Sequence, residues 1–195
     1  VKIKAIPTVY RGIPFASSLE ADWAATFDRF QWEWQYEPVG IELPDGQRYR
    51  PDFYLPTQRV WAEVKGPHNE RLEKPSRLQR AVGDAFEWDA DLVVILRPPR
   101  VGRNGNGERA WWENAVNGQD LVMVLCPECG HHGFMDLAGV WSCRRHMRVR
   151  PEPNKFWTEP EGDLFRPGEL PFTRAPRGRR ETQRLNEIFN ERGAA

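Results

Sequence analysis

Ten residues separate Asp52 from Glu63, and Lys65 follows two places on, within the stretch YRPDFYLPTQRVWAEVKG from Tyr49 to Gly66. Two carboxylates and an ammonium at this spacing have the chemistry of a hard-cation site. Oxygen ligands of this kind suit Mg²⁺, which keeps waters and substrate phosphate in its remaining positions. The competing reading is a solvated hairpin face whose ion pairs are worth little. The neighbours argue against it. Val60, Trp61, Ala62 and Val64 make the second segment largely apolar, with Glu63 and Lys65 as its only charges. Ionised groups beside buried positions are costly unless they pair or bind something.

These side chains need rigid elements to bring them together. Tyr49 to Leu55 and Val60 to Lys65 read as strands around a Pro56-Thr57-Gln58-Arg59 turn. Side chains alternate along a strand, so Glu63 and Lys65 share a face and Val64 takes the other. Asp52, on the partner strand, falls opposite or diagonal to Glu63, within reach of one shared ion. Upstream, Leu19, Trp23, Phe27 and Phe30 recur at helical steps, and Ser17 or Ser18 can cap that helix. Glu20 lies beside the apolar stripe. It is either a first-turn acid favoured by the helix dipole or a carboxylate that looks inward. Downstream, Arg71 to Trp88 reads as helical, interrupted or restarted at Pro75, and Asp91 to Leu96 as a buried strand. A turn at Pro44-Asp45-Gly46 joins a strand pair ahead of the hairpin.

Pro51-Asp52, a ten-residue gap and Glu63-Val64-Lys65-Gly66 resemble the PD-(D/E)XK nuclease superfamily, whose core the type II restriction enzymes share. The order helix, strand pair, hairpin, helix, strand is similar to its αβββαβ core, and also to phage nucleases and transposon end-cleaving endonuclease subunits. The resemblance covers roughly the first half of the chain. It implies an α/β restriction-endonuclease-like fold with a mixed central sheet, and a metal-dependent nuclease acting on nucleic acid, DNA first. It further implies Mg²⁺ or Mn²⁺ on Asp52, Glu63 and the Val64 carbonyl, with Lys65 orienting the attacking water or stabilising charge at phosphorus. Glu20 would hold a metal-bound water or help with a second ion, and Gln79 on the second helix would lie near the scissile phosphate. A non-catalytic nucleic-acid-binding or assembly module on the same scaffold is the alternative.

All three cysteines lie between Cys126 and Cys143, and an odd number does not suit a disulfide framework. Cys126-Pro127-Glu128-Cys129-Gly130 is a tight turn that aims two sulfurs at one point, and Cys143-Arg144-Arg145-His146 repeats the spacing. Four such ligands give tetrahedral Zn²⁺. The pattern resembles a zinc ribbon with His146 as the fourth ligand and His131 or His132 as competitors. Four protein ligands leave no open position, so the zinc is read as structural; no HExxH motif suggests a catalytic one.

Hydrophobic content of 39% and nine tryptophans are enough for a core. The formal net charge of zero gives no global basic field to attract a polyanion, so any nucleic-acid contact must come from local clusters. Arg97 to Arg103, Arg144 to Arg150 and Arg174 to Arg180 are either phosphate-tracking patches or solvated loops. Gly102 to Gly107 is a loop without the Lys-Ser/Thr ending of a nucleotide cradle, and Ala110 to Val116 is predicted as a short helix. From Pro151 to Pro176 the chain is expected to run extended, docking Phe156, Trp157, Phe165 and Phe172 on the body. Glu181 to Arg192 is expected as an amphipathic helix, packed on the body or on a second subunit of a homodimer. The expected organisation is a core over residues 1–125, a ribbon over 126–150 and the extended segment with its helix over 151–195. No run approaches the roughly eighteen apolar residues of a membrane span, which leads to the expectation of a cytoplasmic protein with no membrane partner.

Overall fold

The computed structural model describes residues 5–83, 90–101, 107–126, 129–135, 142–143, 145, 148–149 and 171–177. The chain divides into two compact units, Val1–Trp32 with Phe172–Ala195, and Glu33–Pro171. Its class is mixed α/β, with few helices and a central sheet of mixed strand orientation.

In the first unit, β1 (Thr8–Tyr10) and β2 (Ile13–Phe15) form a hairpin closed by Arg11 and Gly12, both at positive φ (51° and 78°). Two left-handed residues match the twist of the flanking strands. Helix α1 (Ser18–Arg29) starts at Ser17, whose hydroxyl accepts the Glu20 N–H. The expected apolar stripe understates its burial, because every residue from Glu20 to Phe27 is buried. Asp22 is fully buried among them. Its carboxylate accepts from the guanidinium groups of Arg174 and Arg177 and from the Ala175 N–H. Phe172 packs edge-on against Trp23, and Thr173 exchanges hydrogen bonds with the Thr26 hydroxyl. Residues 172–177 are thus strapped along α1 by one charge cluster and one aromatic contact. The expected docking of Phe172 is seen; Phe156, Trp157, Phe165 and the terminal helix lie outside the described residues.

In the second unit a five-stranded sheet runs β3 (Gln35–Tyr36), β6 (Phe53–Leu55), β7 (Val60–Val64), β8 (Leu92–Val101), β9 (Glu108–Asn114). Only β7 and β8 are parallel, and helix α2 (Glu73–Val82) lies between them in sequence. Pro75 sits in the first turn of α2, where its missing N–H costs nothing. A small hairpin, β4 (Ile41–Glu42) and β5 (Arg48–Tyr49), turns at Gly46, whose N–H donates to Leu43. Leu43, Tyr49, Leu78, Val93, Ile95 and Ala115 form one buried cluster, so this hairpin and α2 share a core with the sheet.

The helix expected over Ala110 to Val116 is instead strand β9 and the turn after it. Along β9, Trp111 is half-buried while Ala110 and Trp112 are buried, and the strand is paired with β8 from Val94 to Val101. Long-range pairing and the strand preference of tryptophan outweigh the local helix propensity of Ala and Glu. The ladder slips between Arg97 and Arg100, across Pro98 and Pro99, which lack the N–H it needs. Asp120 turns back to pair with Glu113, and β10 (Val122–Leu125) and β11 (His132–Met135) follow as a separate hairpin. Two short strands, β12 (Ser142–Cys143) and β13 (Arg148–Val149), pair after it.

Candidate active site

The register of β6 and β7 sets the site. Phe53 pairs with Ala62, so one step on Asp52 stands across from Glu63. The backbone shows which way each residue faces. The Asp52 carbonyl accepts from Glu37 on the β3 side, and the Lys65 N–H donates to Leu96 on the β8 side. Val64 must therefore turn its N–H and carbonyl toward β6. There the Asp52 carboxylate accepts the Val64 N–H at 2.7 Å. The next ladder position opposite Val64 is Pro51, which has no N–H to give its carbonyl. The Pro-Asp pair therefore ends the ladder in a specific way. One residue withdraws the donor, and the other supplies a carboxylate as acceptor.

Glu63 is buried and held from both sides. Lys65 Nζ donates to its Oε1 at 2.6 Å, and the Tyr49 hydroxyl donates to its Oε2 at 2.7 Å. An ammonium carries three N–H donors, and this bond uses one. Burial raises the Tyr49 pKa well above the usual phenol range, and the charges of Glu63 and then Asp52 raise it further. Tyr49 thus stays a neutral donor whose hydroxyl feels both carboxylates.

Arg97, one strand over, continues the parallel register to a position beside Lys65. Its guanidinium is buried, donating to Glu113 Oε2 at 2.7 Å and to the carbonyls of Gly66 and Asn69. It therefore clamps the segment that follows Lys65. The expected Arg97–Arg103 phosphate patch loses its first member to this structural bond. Arg100 pairs with Asp120 over the Trp111 ring, and Arg103 lies outside the described residues. In the third cluster, Arg174 and Arg177 are spent on Asp22.

Of the expected site residues, Asp52, Glu63, Val64 and Lys65 come together. Gln79 has another employment. Its amide nitrogen donates to the carbonyls of Gly83 and Asp91, and its oxygen accepts the Val93 N–H at 2.6 Å, tying the end of α2 to the start of β8. Glu20 belongs to the first unit, where one carboxylate oxygen accepts from the Ser17 hydroxyl and the other from the Ala16 N–H. This is a variant of the Ser-x-x-Glu capping box, in which the carboxylate reaches the N–H of Ala16, one residue before the cap. Tyr49 and Arg97 were not singled out as site residues by their sequence context, because both reach the site through space.

Cys126 and Cys129 flank a turn in which Gly130 donates to the Cys126 carbonyl and Cys126 to the His131 carbonyl. Cys126 is buried with Val122, Val124 and Met135, and Cys129 packs on that cluster. Burial, and next the charge of His131, hold the His132 pKa below its usual value. Cys143 lies on β12, and His146 lies outside the described residues. Among the described residues, no three His, Cys, Asp or Glu side chains are gathered around a common point. Asp52 and Glu63 are two carboxylates with a carbonyl directed beside them, and Mg²⁺ needs no more protein ligands than that.

No known protein family, curated protein or solved structure matches the chain. Among the described residues, no helix is long and apolar enough to cross a membrane.

Proposed function

We propose that the chain is a divalent-metal-dependent nuclease, cutting phosphodiester bonds of DNA, built on a restriction-endonuclease-like core. The observation that carries this reading is the register that sets Asp52 across from Glu63, with Lys65 bonded to Glu63 and the Val64 N–H bonded to Asp52. The order α1, β3 to β7, α2, β8 supports the fold assignment. Asp52, Glu63 and the Val64 carbonyl would hold the cation, and their hard oxygens suit Mg²⁺ or Mn²⁺. A cation held there supplies Lewis acidity toward the phosphate and lowers the pKa of water. Lys65, already beside Glu63, has donors left to orient the attacking water and to offset charge growing on phosphate oxygens. The water would lose a proton as its oxygen bonds to phosphorus, the bond from phosphorus to the 3′ sugar oxygen would break, and that oxygen would take up a proton from solvent, leaving a 5′ phosphate. Arg97 keeps the backbone after Lys65 in place.

The test is incubation of plasmid, linear and branched DNA, with RNA alongside, in Mg²⁺, Mn²⁺ or EDTA. Cleavage that needs metal and vanishes in Asp52→Ala and Lys65→Ala is expected. Binding without nicking under every condition would mean a non-catalytic nucleic-acid module instead. We further propose a structural Zn²⁺ on Cys126, Cys129, Cys143 and a histidine, supported by the Cys126–Gly130 turn. Elemental analysis should find about one zinc per chain, lost in Cys126→Ser; zinc-free purified protein of full activity and stability would end that assignment.

A further inference from the structure

Tyr49 touches the proposed site through Glu63 and has no part yet in its chemistry. Its ring lies in the cluster of Leu43, Leu78, Val93, Ile95 and Ala115, and only 6% of the residue is exposed. Packing therefore fixes where the hydroxyl points, and it points at Glu63 Oε2. The other oxygen, Oε1, takes the Lys65 ammonium. A carboxylate held at one oxygen by a neutral, core-anchored donor cannot rotate to exchange its two oxygens. Such outer supports orient a ligand toward a metal and strengthen binding.

We propose that Tyr49 is a positioning residue for Glu63: its hydroxyl anchors Oε2, so that Oε1 is the oxygen presented to a divalent cation and to Lys65. The proposal rests on the nuclease reading of this site and adds a residue to it. It assigns Tyr49 no contact with substrate. The bond to Glu63 joins strands of two different sheets, so the support comes from the β4–β5 hairpin and not from the sheet that carries the acid.

The experiment measures Mn²⁺ binding to the full chain by electron paramagnetic resonance of the free ion, without any cleavage. Tyr49→Phe keeps the ring and removes only the hydroxyl. It is expected to weaken Mn²⁺ about tenfold, the lower end of what losing a ligand's support costs. Leu78→Ala damages the same core cluster and serves as the control. It should unfold at lower temperature yet bind Mn²⁺ as the wild type does. If Glu63→Ala loses the ion while Tyr49→Phe retains wild-type affinity, the role of Tyr49 is refuted and the site reading stands. If Glu63→Ala leaves Mn²⁺ binding unchanged, or the wild type binds none, the site reading fails and takes this inference with it. Should Tyr49→Phe not fold, proton NMR of the wild type decides. The Tyr49 hydroxyl proton, assigned through the protons of its own ring, should remain slow to exchange when Mg²⁺ saturates the site. Its loss on saturation would overturn the proposal.

Discussion

Replacing Lys65 with Met keeps the aliphatic stem and removes the ammonium. In the structure that ammonium sits 2.6 Å from Glu63 Oε1, with the two side chains 14% and 12% exposed. Its removal leaves the Glu63 carboxylate without its ion-pair partner, on the rung it shares with Asp52. A hydrogen bond to a charged group is worth about 1.5–3 kcal/mol. Breaking a fully buried pair costs about 3–5 kcal/mol. Both partners here retain a little access to water, so the loss in metal-free protein should be about 2 kcal/mol, the lower of these ranges. For a chain of this size each kcal/mol shifts Tm by about 2–4 °C, so a fall of about 4–8 °C is expected in EDTA. A divalent cation should reverse the deficit. The variant has lost the ammonium that competes for Oε1, so it should bind Mg²⁺ or Mn²⁺ more tightly than the wild type. A ligand at a hundred times its Kd adds about 2.7 kcal/mol of stability, enough to restore Tm. Cleavage should nevertheless be absent at every metal concentration. The assay is thermal unfolding in EDTA and across a metal titration, beside a DNA cleavage time course. A wild-type Tm in EDTA, or a response to metal no larger than that of the wild type, would refute the reasoning.

Asp22 and its arginines predict an asymmetry. Arg174→Ala with Arg177→Ala strands a fully buried carboxylate and should cost about 3–5 kcal/mol. Asp22→Ala frees two half-exposed arginines to water and should cost less, about 2 kcal/mol, chiefly for the Ala175 N–H it leaves unsatisfied; chemical denaturation of both variants compares them, and equal losses would contradict the burial argument. Gln79→Leu should lower stability by about 1–3 kcal/mol, because the Val93 N–H and Asp91 carbonyl lose their partner, while metal-dependent cleavage persists in the folded fraction. Cleavage abolished in a fully folded Gln79→Leu protein would restore a catalytic role to that amide. Above pH about 10 the unfolded chain releases tyrosine protons that the folded chain keeps at Tyr49, so stability falls as pH rises, by up to about 1.4 kcal/mol per pH unit for one such group. Tyr10 and Tyr54, raised mainly by burial and by Asp28 and Asp91 in turn, add to that slope. Urea unfolding of Tyr49→Phe at successive alkaline pH values should show a shallower decline, and an unchanged slope would count against the buried hydroxyl.

Local chemistry made part of this protein readable in advance. The Pro56–Arg59 turn and the alternation of Val60 to Lys65 specify a hairpin, and a hairpin's register follows from its turn. Once Phe53 faces Ala62, Asp52 and Glu63 must face each other, which is why the acidic pair was legible. Ser17 and Glu20, three residues apart, likewise carry their capping bond in the sequence. The Glu20 carboxylate in turn accepts from the Ser17 hydroxyl and the Ala16 N–H, partners that spacing alone left open. Strand β9 was misread because its strand character comes from pairing with β8, and the local pattern of Ala, Trp and Glu suits a helix as well. Gln79, Arg97 and Tyr49 were decided only by folding. Each is an ordinary polar or aromatic residue until the tertiary structure buries it beside one particular partner, and a buried polar group must then find a hydrogen bond. Asp22 is the extreme case, joined to Arg174 and Arg177 from the far end of the chain. Sequence by itself thus determined the hairpin that carries the acids and the lysine. The tertiary structure decided which neighbours hold them still, because burial creates the demand for a partner and only the fold says who stands close enough to meet it.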